Sequence, residues 1–108
     1  MTLRLTEADA GRGVLLHVGD DLVLQLAENP TTGYAWSVEA PSAAGAALRE
    51  APARFQAPAG PEAGAAGARE FRFEAVAPGA ADLQFKLWRD WAGEASVTKR
   101  VTLRVQVR

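Results

Sequence analysis

Cysteine is absent from this 108-residue chain, and histidine, methionine and tyrosine each occur once. No disulfide can staple the fold, and no thiolate can bind a metal or attack a substrate. Stability must come from packing. A dominant charge is missing too: 12 basic and 13 acidic residues leave a formal net charge of −1, with the basic residues dispersed. Phosphate neutralisation needs a basic face, so nucleic acid is not expected as a partner. No run approaches the roughly 18 apolar residues of a membrane span, so no membrane partner is expected. The opening "MTLRLTEADAGRG" lacks a basic segment followed by an apolar one, as a secretory leader would have. The expectation is a cytoplasmic protein. A chain trimmed of its leader would read the same, and would be periplasmic or secreted.

Catalytic groups are equally scarce. His17 is the lone histidine, and by parity it points away from the row Val14, Leu16, Val18. No triad or metal cluster can be assembled around one outward imidazole. Ser37, Ser42 and Ser96 lie outside any Gly-x-Ser-x-Gly elbow. Asp20 and Asp21 fall in a turn, where acids serve local hydrogen bonds. The chain is not expected to be an enzyme, and no cofactor or metal is expected.

What is present is alternation. Leu22, Leu24 and Leu26 face one way against Val23, Gln25 and Ala27; Phe71, Phe73 and Ala75 oppose Arg72, Glu74 and Val76. Leu83, Phe85 and Leu87 form another row, as do Tyr34, Trp36 and Val38, and Val101, Leu103, Val105 and Val107. "LRL" and "VLLHV" add two shorter candidates near the start. A period of two means half-buried strands. Turn chemistry separates them in "VGDD" (18–21), "NPTTG" (29–33) and "APGAAD" (77–82). About seven or eight short strands spell an all-β, immunoglobulin-like antiparallel β-sandwich forming one domain over 1–108. A closed barrel would show the same alternation. "PSAAGAALREAPARF" (41–55) is the one rival helix, limited by Gly45 and Pro52 to a turn or two. "APAGPEAGAAGA" (57–68) is too poor in packing side chains to order itself and is expected to be a mobile loop.

Two loops stand out. Asn29-Pro30-Thr31-Thr32-Gly33 combines a turn-forming amide, a fixed φ, two hydroxyls and a residue free to take positive φ. That composition makes a rigid inter-strand connection, and rigidity also suits recognition, because little entropy is lost on binding. "KLWRDWAGE" (86–94) places Trp88, Arg89 and Trp91 at or beside a turn. Trp and Arg are the residues most enriched in binding hot spots. The alternative is that the tryptophans fold back as lids on the core.

Together "NPTTGY" followed by "AW", a glycine-bearing loop before "F-x-F-x-A", and "R-x-W" after "L-x-F" resemble the chagasin family over residues 26–91. The likeness implies an immunoglobulin-like, reversible inhibitor of papain-like cysteine proteases. Three loops at one end would form a wedge filling the protease cleft. Asn29, Pro30, Thr31, Thr32, Gly33 and Tyr34 would enter at the catalytic cysteine. Gly64, Ala65, Ala66 and Gly67 would grip one wall, and Arg89, Asp90 and Trp91 the other, with Arg89 either orienting Trp91 or pairing with the enzyme. Two positions depart from the family pattern: Ala66 stands for a glycine and Asp90 for a proline. Such an inhibitor is expected to work as a monomer. The other reading is an immunoglobulin-like protein-binding module without inhibitory activity, favoured by those two departures.

Overall fold

A computed structural model describes residues 1–39, 47–57 and 67–108. Among them nine strands are formed: β1 (Thr2–Thr6), β2 (Gly13–Leu16), β3 (Asp21–Glu28), β4 (Ala35–Val38), β5 (Leu48–Glu50), β6 (Arg54–Gln56), β7 (Gly67–Ala75), β8 (Gly79–Trp88) and β9 (Lys99–Val107). One sheet runs β1-β3-β7-β5, with β6 also paired to β7, and the other runs β2-β9-β8-β4. The two sheets make a sandwich, and the closed barrel is not formed.

The alternating rows meet in the middle of it. Leu22, Leu24, Leu26, Phe71 and Phe73 of the first sheet are buried with Leu83, Phe85, Val101, Leu103 and Val105 of the second. Phe85 joins the layers, its ring centroid 4.9 Å from Phe71 and 6.2 Å, edge-on, from Phe73. Such contacts add a specific geometry to the burial that drives folding.

Several details depart from the alternation. Two strand pairs are parallel, β1 with β3 and β2 with β9. The chain changes sheet after β1 through a tight turn at Glu7–Asp9. Thr6 caps that turn, and the Asp9 carboxylate accepts the Thr6 N–H at 2.9 Å. Strand direction follows from this crossing and leaves no mark in the periodicity. Val18, placed on the core row by parity, is 51% exposed, because β2 ends at Leu16 and the chain turns, with the Asp20 N–H bonded to the His17 carbonyl. Val23, on the outward row, is fully buried. It lies in register between Arg4 and Arg72, whose long stems share its face.

Boundaries also shift. The "APGAAD" turn is shorter than its composition suggests, since Gly79 to Asp82 already pair with β9. Of the rival helix, 41–46 lie outside the described residues and the remainder carries β5 and β6. Of the expected mobile loop, 58–66 lie outside them, and Gly67 and Ala68 belong to β7. Gly67 is held there by close approach: an added Cβ would collide with the Gln56 carbonyl and stand 2.6 Å from the Phe55 ring.

Candidate functional site

The loop between β3 and β4 builds itself from its own polar atoms. Pro30–Thr32 form a single 3-10 turn. The Asn29 side-chain oxygen accepts the Thr31 N–H at 3.0 Å and the Thr31 hydroxyl at 2.7 Å. The Asn29 carbonyl accepts the Thr32 N–H at 3.2 Å and the Thr32 hydroxyl at 2.8 Å. Thr32 Oγ1 then accepts the Tyr34 N–H at 3.2 Å. This is the side-chain-to-backbone bonding that Asn and Thr favour in turns. Gly33 leaves the turn at φ +79°, a conformation costly for any residue with a Cβ. Thr31 and Thr32 remain exposed at the tip.

Both hydroxyl protons are spent inside the loop. A hydroxyl has one proton and two lone pairs, so outward the threonines offer acceptors. Among polar groups, the two hydroxyls favour partners that donate, Thr31 with its lone pairs more than Thr32, which already accepts the Tyr34 N–H.

The loop after β8 leans on the first. Arg89 Nη2 and Nε lie 2.9 and 3.3 Å from the Thr32 carbonyl oxygen, and its guanidinium carbon is 4.4 Å from the centroid of the Tyr34 ring. Fork and stack together use the planar geometry that sets Arg apart from Lys. Of the two roles open to Arg89, orienting Trp91 or pairing with an enzyme, the free protein displays a third: it holds the neighbouring loop. Trp91 follows in a short 3-10 turn, Asp90–Ala92, and is 73% exposed. Its ring edge nonetheless abuts Gly33, where an added Cβ would stand 2.9 Å from the indole. It is no lid on the core. Trp88 is half-buried on the outer face of its sheet, with the Lys86 ammonium 3.6 Å from its ring centroid.

Asn29 to Tyr34 and Arg89 to Trp91 are thus brought together at one end of the sandwich. Gly64, Ala65 and Ala66 lie outside the described residues, while Gly67 opens β7 opposite Glu28.

Three contributors escaped the sequence reading. Ser96 ties the neck of the Trp91 loop. Its hydroxyl accepts the Arg89 N–H at 3.0 Å and lies 2.9 and 2.7 Å from the Arg89 and Gly93 carbonyl oxygens. Glu28 and Arg69 form an ion pair beneath the Asn29–Tyr34 loop, Nη2 to Oε2 2.6 Å, with Glu28 only 3% exposed. Their signal was available: Glu28 continues the row Leu22, Leu24, Leu26, and Arg69 precedes the row Phe71, Phe73, Ala75. Opposite charges on core parity in two strands should pair.

Comparison with known proteins gives the family and the fold. A family model described as chagasin family peptidase inhibitor I42 matches residues 15–105. Chagasin of Trypanosoma cruzi is 27% identical over 111 residues, covering 95% of this chain and 96% of that protein. Among solved structures, the cysteine protease inhibitor EhICP2 from Entamoeba histolytica superposes with a TM-score of 0.82 at 22% identity, over 99% of this chain and 95% of its own. Amebosin superposes at 0.78 with 24% identity, over 100% and 99%. PbICP-C, solved in complex with falcipain-2, superposes at 0.62 with 14% identity, over 100% and 92%. With a family model spanning most of its length, this chain belongs to the chagasin family of peptidase inhibitors.

Proposed function

We propose that the end of the sandwich bearing residues 29–34 and 89–91 enters the active-site cleft of a papain-like cysteine protease and blocks it reversibly. One observation carries this reading. The two loops are joined before any partner arrives, by the Arg89 fork on the Thr32 carbonyl and by Trp91 against Gly33. A preassembled surface pays little ordering entropy on association. A large exposed indole beside it supplies the kind of anchor that dominates interfaces.

The chemistry at the tip suits a thiol protease. The exposed threonine hydroxyls donate their protons within the loop and keep lone pairs with which to accept hydrogen bonds, and such a cleft donates them through its imidazolium and its oxyanion-binding N–H groups. The tip is a 3-10 turn that leaves through positive φ at Gly33. It is not the extended strand that presents a scissile carbonyl in line with a thiolate, so near-attack geometry is not reached. Gly64, Ala65, Ala66 and Gly67 supply the third contact in this reading. PbICP-C was solved in complex with falcipain-2, which supports a protease as the partner. The inhibitor acts as a monomer without cofactor, nucleic acid or membrane.

Titration against papain tests the proposal. The expected result is competitive inhibition with the inhibitor intact by mass spectrometry after long incubation, and no effect on serine or metalloproteases. Stoichiometric cleavage between residues 30 and 34 would overturn the mechanism. Binding to papain without inhibition would favour the binding-module reading, which the exposed Asp90 at the third loop supports.

A further inference from the structure

The Glu28 carboxylate touches three strands at once. It sits at the last residue of β3, where the 29–34 loop departs. Oε1 accepts the backbone N–H of Trp36 at 2.7 Å, just where that loop has returned into β4. Oε2 and Oε1 accept Arg69 Nη2 at 2.6 Å and Nε at 3.3 Å. Arg69 lies in β7, two residues after Gly67, and its guanidinium carbon is 5.3 Å from the centre of the Phe55 ring. That same ring packs where a Gly67 Cβ would be. Beside the carboxylate, the Trp36 indole N–H donates to the Ala27 carbonyl at 2.9 Å.

We propose that Glu28 and Arg69 are a positioning pair, which locks the two legs of the 29–34 loop together and ties them to the start of β7. Because β3 and β7 lie in one sheet and β4 in the other, the carboxylate also clamps the sheets directly beneath the candidate site. Its bond to Trp36 satisfies an N–H near the start of an edge strand, which would otherwise be open. An ion pair this buried is a poor source of net stability, since desolvation offsets its attraction. What it supplies is a single arrangement: a fork of fixed geometry between two planar groups. The pair therefore sets the fraction of molecules whose loop is in its binding shape, and apparent affinity scales with that fraction. The consequence for inhibition rests on the protease reading above; the consequence for the loop does not.

The test is made on the free protein and on papain in parallel. Arg69→Met keeps the stem and removes the fork, Glu28→Gln keeps an acceptor for Trp36 and turns the other oxygen into a donor, and Arg69→Lys keeps the charge alone. Amide hydrogen exchange of Thr31, Thr32, Tyr34 and Trp36 is compared with that of Leu83 and Leu103 in the β8–β9 ladder. Arg69→Met and Glu28→Gln should accelerate the loop amides at least about tenfold relative to the ladder and weaken inhibition about tenfold, mainly through slower association; Arg69→Lys should recover part of both. Loop amides that do not change, or that rise only in step with the ladder, would overturn the pairing role, as would a loosened loop that inhibits undiminished. If the parent protein fails to inhibit papain, the protease reading falls, and the exchange data alone decide the role of the pair.

Discussion

Arg89 holds the carbonyl of Thr32 across the gap between two loops, with Nη2 at 2.9 Å and Nε at 3.3 Å. One residue of the Arg-x-Trp segment thus fixes the other loop, and its neighbour Trp91 lies against Gly33. The division of labour is physical. The guanidinium bonds within the protein, while the indole keeps most of its surface free.

Replacing Arg89 should separate binding from folding. Arg89→Ala removes a charged hydrogen-bond fork that is exposed to solvent, where screening keeps its worth to folding below about 1 kcal/mol. We expect inhibition of papain to weaken roughly 10- to 100-fold, with the melting temperature lowered by only a few degrees. Arg89→Lys should recover little, because an ammonium cannot fork and stack at once. An Arg89→Ala protein with parental inhibition constants would leave the loop-to-loop bond without a functional role.

Trp91→Ala should weaken inhibition strongly at nearly unchanged stability. The side chain is 73% exposed, so little burial is lost on truncation, whereas an interface anchor is worth about 2 kcal/mol or more, roughly 30-fold. Inhibition constants beside thermal melts check both halves. Asp90→Pro should tighten inhibition modestly. Arg89 already has φ −99° and ψ 108°, the extended region a following proline requires, and position 90 opens a 3-10 turn, where a fixed φ is favourable.

Gly33→Ala tests why glycine ends the threonine turn. The backbone there is at φ +79°, and the new methyl group would press on the Trp91 ring. The indole can swing away, so the folding cost should stay near the roughly 1–2 kcal/mol of a left-handed non-glycine residue. The displaced Trp91 should report itself as a shift in tryptophan fluorescence and as weaker inhibition. Unchanged emission would mean that the ring does not rest on Gly33 in solution.

Trp36 and Thr31 should behave as opposites. Trp36 is 4% exposed and bonded through its indole N–H to Ala27, so Trp36→Ala should destabilise the fold by about 3–5 kcal/mol. Thr31 is exposed at the tip. Thr31→Ala should leave the melt within a few degrees while weakening inhibition; if it unfolds the protein instead, the turn is structural.

Acid should destabilise the fold in a defined way. The His17 backbone N–H, donated to Asp20 at 2.9 Å, holds that carboxyl below the usual aspartate range, and the Thr6 N–H does the same for Asp9. Lys86 and then Arg100 lower Glu94 in the same sense. A depressed carboxyl contributes stability that is present above its unfolded value and lost as pH falls through the folded one. Stability should therefore be flat through neutral pH and decline below about pH 4. Denaturation curves of the parent and Asp20→Asn across pH 2–6 check this; the variant should be less stable at pH 6 and converge on the parent at pH 2.

The alternating rows of leucine, phenylalanine and valine were by themselves enough to define half-buried strands around an apolar core, because side chains two residues apart must share a face and the apolar face must be buried; that the strands form two sheets and not a closed barrel was decided by their pairing. The 29–34 loop was equally legible, since Asn, Pro, Thr and Gly act through local bonds and local φ that need no distant partner. What tertiary structure decided was everything that depends on which strands become neighbours. The parallel pairing of β1 with β3 and of β2 with β9, the burial of Val23 and the early start of β8 all follow from ladders with partners far away in sequence. So do the joining of Arg89 to Thr32, 57 residues apart, and of Glu28 to Arg69, 41 apart. Periodicity could place those two charges on the core face, but only the register of β3 against β7, and the return of β4 beneath the loop, set them within reach of each other.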